Sequence, residues 1–546
     1  INNLLELFYH QYEKQNKDDI FLQSLKDHQK KYSWKDIYEC TIKLSEEIST
    51  HIKKGERCLL VSENRPEWMI ADLSIMFAKG TTVPAYTTYT ERDYEYIIDD
   101  CTPSIIIVSD KTQYDKVKNI IPKKNFIKKV IAFDEIEDFN DNLNLNIQKI
   151  FKKKDYKEKN FLDLKIQRKD IACIIYTSGT QGNPKGVMLS HGGIINNCEG
   201  AYDLLKTFIS KKPKFLTWLP LSHSYEHTVQ FVQIVVGAQV FYSEGIDKLI
   251  KNMSDCSPEI MTAVPRFYQN LYQKINASFK KAKGLKKLLV DQTVNLGKKK
   301  VNKEKLSFKE NITNFICDRL VRKKIKKQFG GNLKAFVSGG GALDQEVGLF
   351  LNAIGLPTLQ GYGLTETSPV VSCNHIEDIK IETVGPPFKG NLVKIALDGE
   401  ILVKGENVML GYWKNEEETN KVLKDGWLFT GDIGEFEGKF LKITDRKKDI
   451  IITPGGDNIS PIKIENDLNK SDFIEQSLVY GDNKPYLVCL IVLSYEFKEV
   501  NEEKIQAEIQ KINKNLSKIE KIKKFIIIKD QFTIENGLMT PTLKLK

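Results

Sequence analysis

In its first 110 residues the chain alternates short, wholly apolar runs with longer segments that carry apolar residues at helical spacing. The run 57–62 predicts a buried strand, 63–79 a helix closed by Gly80, 81–85 a second strand and 104–109 a third. Strands apolar on both faces and separated by helices predict a mostly parallel sheet covered by helices. The same pattern returns at 171–176 and at 333–338, the latter followed by glycines at 339–341. Residues 135–165 are polar with little periodicity and read as a surface excursion. Residues 250–330 read as helical and rich in lysine. From about 380 the texture changes to short strands broken by glycine, at 399–404 and 438–444, which predicts a small β-rich subdomain. The charged stretch 445–449 reads as a hinge, and a further α+β unit follows it. The expected fold class is therefore α/β. A large N-terminal domain, 1–447, has helix-covered sheets and the β-rich subdomain at about 380–447, and a small C-terminal domain spans 448–546.

Composition supports folded domains: 41% of the 546 residues are apolar, and a chain of this length exceeds the usual ~100–200 residues of one domain. The net charge of +10 is local. Residues 271–330 hold 18 Lys and Arg against 4 Asp and Glu, so the remainder is slightly acidic. Such a segment suits an anionic lipid surface or another polyanion, and equally a pair of solvated helix faces. It shows no known nucleic-acid-binding module, so no nucleic-acid partner is expected. Nine cysteines without a Cys-x-x-Cys pair point to a reducing compartment without a zinc site. No apolar run approaches the ~18–20 residues of a membrane span, and the opening residues show no signal-peptide pattern. A cytoplasmic protein is expected, peripheral on the inner face of a membrane.

The sharpest chemical signal is Tyr176-Thr-Ser-Gly-Thr-Gln-Gly-Asn-Pro-Lys-Gly186. Glycines let backbone N–H groups approach an anion, Thr177, Ser178 and Thr180 add hydroxyl donors, and Lys185 adds a point charge. That combination fits a polyphosphate. No Gly-Lys-[Ser/Thr] closes the loop, so it is not the Walker form. Later come Gln360-Gly-Tyr-Gly-Leu-Thr-Glu366, Phe429-Thr-Gly-Asp432, and Asp445-Arg446 with Lys448.

In this order the four motifs resemble those of the adenylate-forming superfamily of acyl-CoA synthetases, luciferases and peptide-synthetase adenylation domains, from about residue 60 to the end. The resemblance implies ATP, Mg²⁺ and coenzyme A as the small-molecule partners. It implies that Thr177, Ser178, Gly179, Thr180, Gly182 and Lys185 hold the phosphates. It implies an adenine wall of Gly339, Gly340, Gly341 and Ala342, and a nucleotide platform of Gln360, Gly361, Tyr362 and Gly363. Thr365 would contact the α-phosphate, Glu366 with Thr177 would hold the metal, and Asp432 and Arg446 would bind the ribose. His223, in Trp218-Leu-Pro-Leu-Ser-His-Ser-Tyr-Glu-His227, would face the substrate carboxylate, whereas His227 reads as structural. Lys448 would be the hinge of a mobile C-terminal domain. That domain would present first the catalytic Lys544 and then a coenzyme A tunnel around Gly455 and Gly456.

Three features resemble the long-chain fatty acyl-CoA synthetases within that superfamily: Thr540-Pro-Thr-Leu-Lys544, Asn64-Arg-Pro-Glu-Trp68, and the basic helical stretch after Val264-Pro-Arg-Phe-Tyr268. The expected activity is activation of a long-chain fatty acid and transfer to coenzyme A. The alternatives are a fatty acyl-AMP ligase serving a carrier protein, a ligase of medium-chain or other acids, and a catalytically silent lipid-binding scaffold. The short span from Asp432 to Asp445 favours coenzyme A, since the acyl-AMP ligases carry an insertion ahead of the hinge.

Overall fold

The structure, a computed structural model, describes residues 1–546 apart from 138, 140, 141, 157–160, 178–183, 448, 455–457, 498, 499, 535, 541–544 and 546. The apolar runs become adjacent parallel strands. Arg57–Val61 lies between Thr81–Ala85 and Ile105–Val108, with Val61 opposite both Ala85 and Val108. Every residue of the two outer strands is buried, as sheets covered on both faces require. The helix that joins Arg57–Val61 to Thr81–Ala85, Pro66–Phe77, is buried all round, with Pro66 in its first turn where the missing N–H costs nothing. Its end differs from the expectation. Lys79, not Gly80, takes the left-handed conformation (φ 61°), and Gly80 N–H closes the motif on Ile75 O at 2.9 Å. Gly80 is needed for closeness instead, since a Cβ there would lie 2.7 Å from Ile52 Cδ1.

These strands belong to an eight-stranded sheet ordered Gly411–Tyr412, Lys185–Ser190, Ile171–Thr177, Thr81–Ala85, Arg57–Val61, Ile105–Val108, Lys129–Ala132 and Asn144–Asn146. It is parallel except for Lys185–Ser190, which runs antiparallel to both of its neighbours. A second eight-stranded sheet runs Val370–Cys373, Thr358–Gly363, Ala335–Ser338, Ile260–Ala263, Lys214–Thr217, Gln239–Tyr242, Ile20–Ser24 and Lys31–Ser33. It is parallel except at its two edges.

The surface excursion expected at 135–165 is corrected. Asn144–Asn146 is the edge strand of the first sheet, and Ile147, Ile150 and Phe161 enter the main core, where Phe161 packs edge-on against Phe77 at 4.4 Å. The apolar residues here keep no single period, yet Ile136, Phe139, Ile147, Ile150 and Phe161 are buried.

Five antiparallel strands between Leu392 and Arg446 enclose a core of Val371, Val384, Ile401, Val403 and Leu441. Beyond them, Ile474–Tyr480, Leu487–Leu493 and Ile522–Ile528 form a three-stranded sheet. With the helices Pro461–Asn469 and Glu502–Asn513 it buries its own core, including Ile464, Leu468, Ile491, Ile505 and Ile509. The lysine-rich segment forms the helices Pro265–Lys280, Gly284–Val301, Phe308–Cys317 and Lys323–Gln328. None of the nine cysteines is disulfide-bonded. Among the described residues, no helix is long and apolar enough to cross a membrane.

Candidate active site

The carboxyl ends of the parallel strands turn toward one region, where open α/β sheets place their ligands. Ile171–Thr177 pairs antiparallel with Lys185–Ser190, which sets Thr177 opposite Lys185 across the phosphate-loop motif. Ser178, Gly179, Thr180 and Gly182 lie outside the described residues. Lys185 Nζ forms an ion pair with Glu418 and stands 5.2 Å from the centre of the Tyr412 ring. Glu418, in the first turn of the helix Glu416–Val422, is held well below the usual carboxylate range by Lys185 and then Lys421. The Tyr412 hydroxyl donates to Glu366 Oε1 at 2.9 Å. The phosphate-loop lysine and the glutamate of the second motif are therefore linked through one aromatic side chain.

In the second sheet, Thr358–Gly363 carries Gln360, Gly361, Tyr362 and Gly363. A Cβ on Gly363 would sit 1.9 Å from the Pro369 carbonyl, so only glycine lets the chain double back into Val370–Cys373. Thr365 and Glu366 then occupy the short helix Thr365–Thr367. Thr365 Oγ1 lies 3.1 Å from Ser224 Oγ. Ser224 begins the helix Ser224–Val235, and His223 is its N-cap. His223 Nδ1 accepts from Tyr225 N–H at 3.2 Å, which leaves the proton of the neutral ring on Nε2. Ser224 thus brings His223 and Thr365 together, although 142 positions separate them.

The glycine wall has a local cause of its own. A Cβ on Gly339 would meet the Tyr225 ring at 2.8 Å, and the Tyr225 hydroxyl donates to Val337 O at 3.1 Å. Gly340 has φ +82°, and Gly341 and Ala342 are exposed on the turn that follows.

Asp432 and Arg446 face each other on the antiparallel strands Trp427–Glu437 and Phe440–Arg446. Asp432 Oδ1 accepts from Arg446 Nε at 2.9 Å and Oδ2 from the Tyr362 hydroxyl at 2.7 Å. Burial, and then the Asp432 charge, push the Tyr362 hydroxyl well above its ordinary range. Burial works against the Arg446 charge, but Asp432 outweighs it and raises the guanidinium. Both Asp432 oxygens are thereby fixed in direction.

Behind His223 lies a buried ionisable pair that the motifs do not mark. His227 Nε2 is 2.9 Å from Asp72 Oδ2, and neither side chain is exposed. Burial disfavours the His227 imidazolium, but the Asp72 carboxylate outweighs it and holds the ring charged up to about 10. Burial also pushes the Glu226 carboxyl up to about 8, against the hydrogen bond that Thr262 Oγ1 donates at 2.7 Å.

Sequence reading missed Tyr412, Glu418, Ser224 and Asp72. Only the Gly411-Tyr412-Trp413 cluster offered a signal, and nothing in it points to Glu366. Lys448, Gly455, Gly456 and Lys544 lie outside the described residues. Of their unit, Asn469 O accepts from Gln273 Nε2 at 3.2 Å, and Asp472 pairs with Lys280 at 2.7 Å. Lys470 pairs with Asp344 at 3.3 Å. Among the described residues, no group of three or more His, Cys, Asp or Glu side chains could hold a metal. Glu366 is a single carboxylate with one oxygen engaged by Tyr412. That suits a hard cation carried mainly by phosphates and water.

Residues 8–413 match the family of AMP-binding enzymes, and 448–536 match the AMP-binding enzyme C-terminal domain. The chain is 31% identical over 522 residues to the long-chain-fatty-acid–CoA ligase FadD15 of Mycobacterium tuberculosis, covering 91% of this chain and 86% of that protein. It is 29% identical to long chain acyl-CoA synthetase 3 of Arabidopsis thaliana, covering 94% and 85%. Its fold is that of the anthranilate CoA ligase AuaEII in complex with anthranoyl-AMP (TM-score 0.77, 17% identity, 100% and 95% covered). ATP-bound MatB from Rhodopseudomonas palustris is also alike (TM-score 0.73, 21% identity, 97% and 95% covered).

Proposed function

Because the chain belongs to the AMP-binding enzyme family, we propose that it is a long-chain fatty acid–CoA ligase of the AMP-forming kind. The single observation that carries the site reading is the convergence of Lys185, Tyr412 and Glu366 beside the paired Asp432 and Arg446. In the first half-reaction a carboxylate oxygen of the fatty acid attacks the α-phosphorus of ATP. The bond to the bridging oxygen breaks, and pyrophosphate leaves. In the second, the sulfur of coenzyme A attacks the acyl carbon, the bond to AMP breaks, and the thiol proton is released. Two anions meet in the first step, so cations and positioning dominate it.

Lys185 binds the phosphates, together with the backbone of the loop 177–182. Asp432 accepts from the ribose hydroxyls, and its two protein partners hold it in direction for that task. Tyr362 and the 339–342 turn bracket the adenine. Thr365 contacts the α-phosphate. His223 offers its Nε2–H to the acyl carbonyl as charge develops there. Glu366 and Thr177 would hold Mg²⁺, which would screen the phosphate charge. We further propose that Lys448 is the hinge on which 448–546 turns, bringing Lys544 for the first step and Gly455 and Gly456 for the second.

Coenzyme A is favoured over a carrier protein as acceptor because Glu437 and Phe440 pair across a two-residue turn, with no insertion before the hinge. Segment 271–330, with its 18 basic against 4 acidic residues, meets an anionic membrane surface, where fatty acids partition. The test is pyrophosphate release across acids of two to about twenty carbons, with and without coenzyme A. Release should peak with long acids, and AMP with acyl-CoA should appear together only when coenzyme A is present. Release that no fatty acid raises above background refutes the reading.

A further inference from the structure

Helix Phe308–Cys317 is amphipathic in the wrong direction for a surface helix. Its inward side holds Asn314 and Cys317, and Arg322 after it ties that side down. The Arg322 guanidinium donates to Ala353 O at 2.7 Å, Thr293 O at 2.7 Å and Asn314 Oδ1 at 2.9 Å. Its outward side holds Phe308, Ile312, Phe315 and Ile316, continued by Leu320, at the i, i+4, i+7, i+8 and i+12 positions of one stripe. Phe308 is 81% exposed and Phe315 61%.

The neighbouring helix adds to this face. Gly284–Val301 runs antiparallel to the first, with Leu289 O accepting from Cys317 Sγ at 3.7 Å and Lys299 paired with Glu310 at 2.6 Å. That register sets its exposed Leu285 and Leu288 at the end where Ile316 and Leu320 lie. An exposed apolar face of this extent on a fixed helix pair marks a binding surface.

Charge identifies the partner. Residues 281–327 contain 16 Lys and Arg and 4 Asp and Glu, an excess of 12 positive charges. Lys286 adjoins Leu285, Lys309 adjoins Phe308, and Arg319 lies over the Phe315 ring at 5.4 Å. Two such faces repel each other, so a second copy of this chain is a poor occupant. Apolar side chains ringed by cations are the pattern of a helix lying in the headgroup layer of an anionic bilayer. We propose that this face, led by Phe308, Ile312 and Phe315, inserts into the surface of an anionic lipid bilayer and docks the enzyme there. The inference rests on the membrane contact argued above and adds that apolar insertion, not charge alone, makes it.

The experiment floats the full chain with vesicles of phosphatidylcholine alone, or with about 30% phosphatidylglycerol, at low salt and at about 0.3 M salt, where the Debye length falls to roughly 6 Å. The variants are F308S/I312S/F315S and, on the other helix, L285S/L288S. AMP formation from water-soluble octanoate without vesicles is read in parallel. The wild type should bind anionic vesicles at both salts. The triple variant should lose at least about tenfold in affinity at high salt while its AMP formation is unchanged, and the double variant should weaken binding in the same direction. Binding of the triple variant within twofold of wild type at high salt overturns the proposal. So does a wild type that ignores vesicles but elutes as a dimer, which the triple variant turns into a monomer. Flotation judges the docking and AMP formation judges the catalytic reading, so each fails separately.

Discussion

On the strand Trp427–Glu437, Asp432 is 5% exposed and both of its oxygens accept hydrogen bonds, one from Arg446 and one from Tyr362. In helix Phe308–Cys317 the arrangement is reversed, because Phe308 and Phe315 face outward while Arg322 is held inside by four acceptors. Both regions bury polar groups with partners, as they must. They differ in what the burial supports. Around Asp432, it fixes charged groups in direction. In the helices, it releases apolar side chains to a surface that the fold does not cover. A buried polar cluster is therefore no marker of chemistry by itself. What counts is whether the groups still exposed beside it are polar or apolar.

The largest effect is expected at Asp432. Asp432→Ala should lower kcat/KM for AMP formation by about 10³-fold, with a melting temperature within ~2 °C of wild type. Arg446 is 41% exposed at its side chain and returns to water when its partner is lost. A large loss of stability with unchanged kinetics would put Asp432 in the scaffold. In the helices the opposite is expected. Arg322→Met leaves the Ala353 and Thr293 carbonyls without their donor, so it should cost about 2 kcal/mol in chemical denaturation and leave the kinetics of the folded enzyme unchanged.

The smallest effect sharpens the contrast from within the buried cluster. Glu226 has its folded value raised from 4.5 to about 8, so the native state keeps a proton that the unfolded chain gives up. Its contribution to stability is complete below the unfolded value and is lost as pH rises through 8. Glu226→Gln, which stays neutral, should match wild type near pH 5 and exceed it by ~1–2 kcal/mol near pH 9. An equal offset at both pH values would mean that the carboxyl is already ionised when folded.

Much of this was legible along the chain. The strands at 57–61, 81–85, 105–108 and 171–177 are apolar on both faces, and that pattern admits little but a covered parallel sheet. Arg446 and Asp432 stand in motifs whose order marks the family, and the hairpin that pairs them is short enough to read directly. The edge strand at 144–146 and the burial of Phe161 were not legible, because the apolar residues of 135–165 keep neither a strand nor a helix period. Nor was the reason for Gly80, whose conformational freedom goes unused while its lack of a side chain admits Ile52.

By itself, the sequence determined the α/β architecture, the motif order and the family, because these depend on local pattern and on residue chemistry. Only the tertiary structure decided that Tyr412 joins Lys185 to Glu366, that Asp72 partners His227, and which side of helix Phe308–Cys317 faces out. Each of these is a relation between segments distant along the chain. A helical pattern shows that one face is apolar, but the packing of its neighbours decides whether that face is turned to the core or away from it.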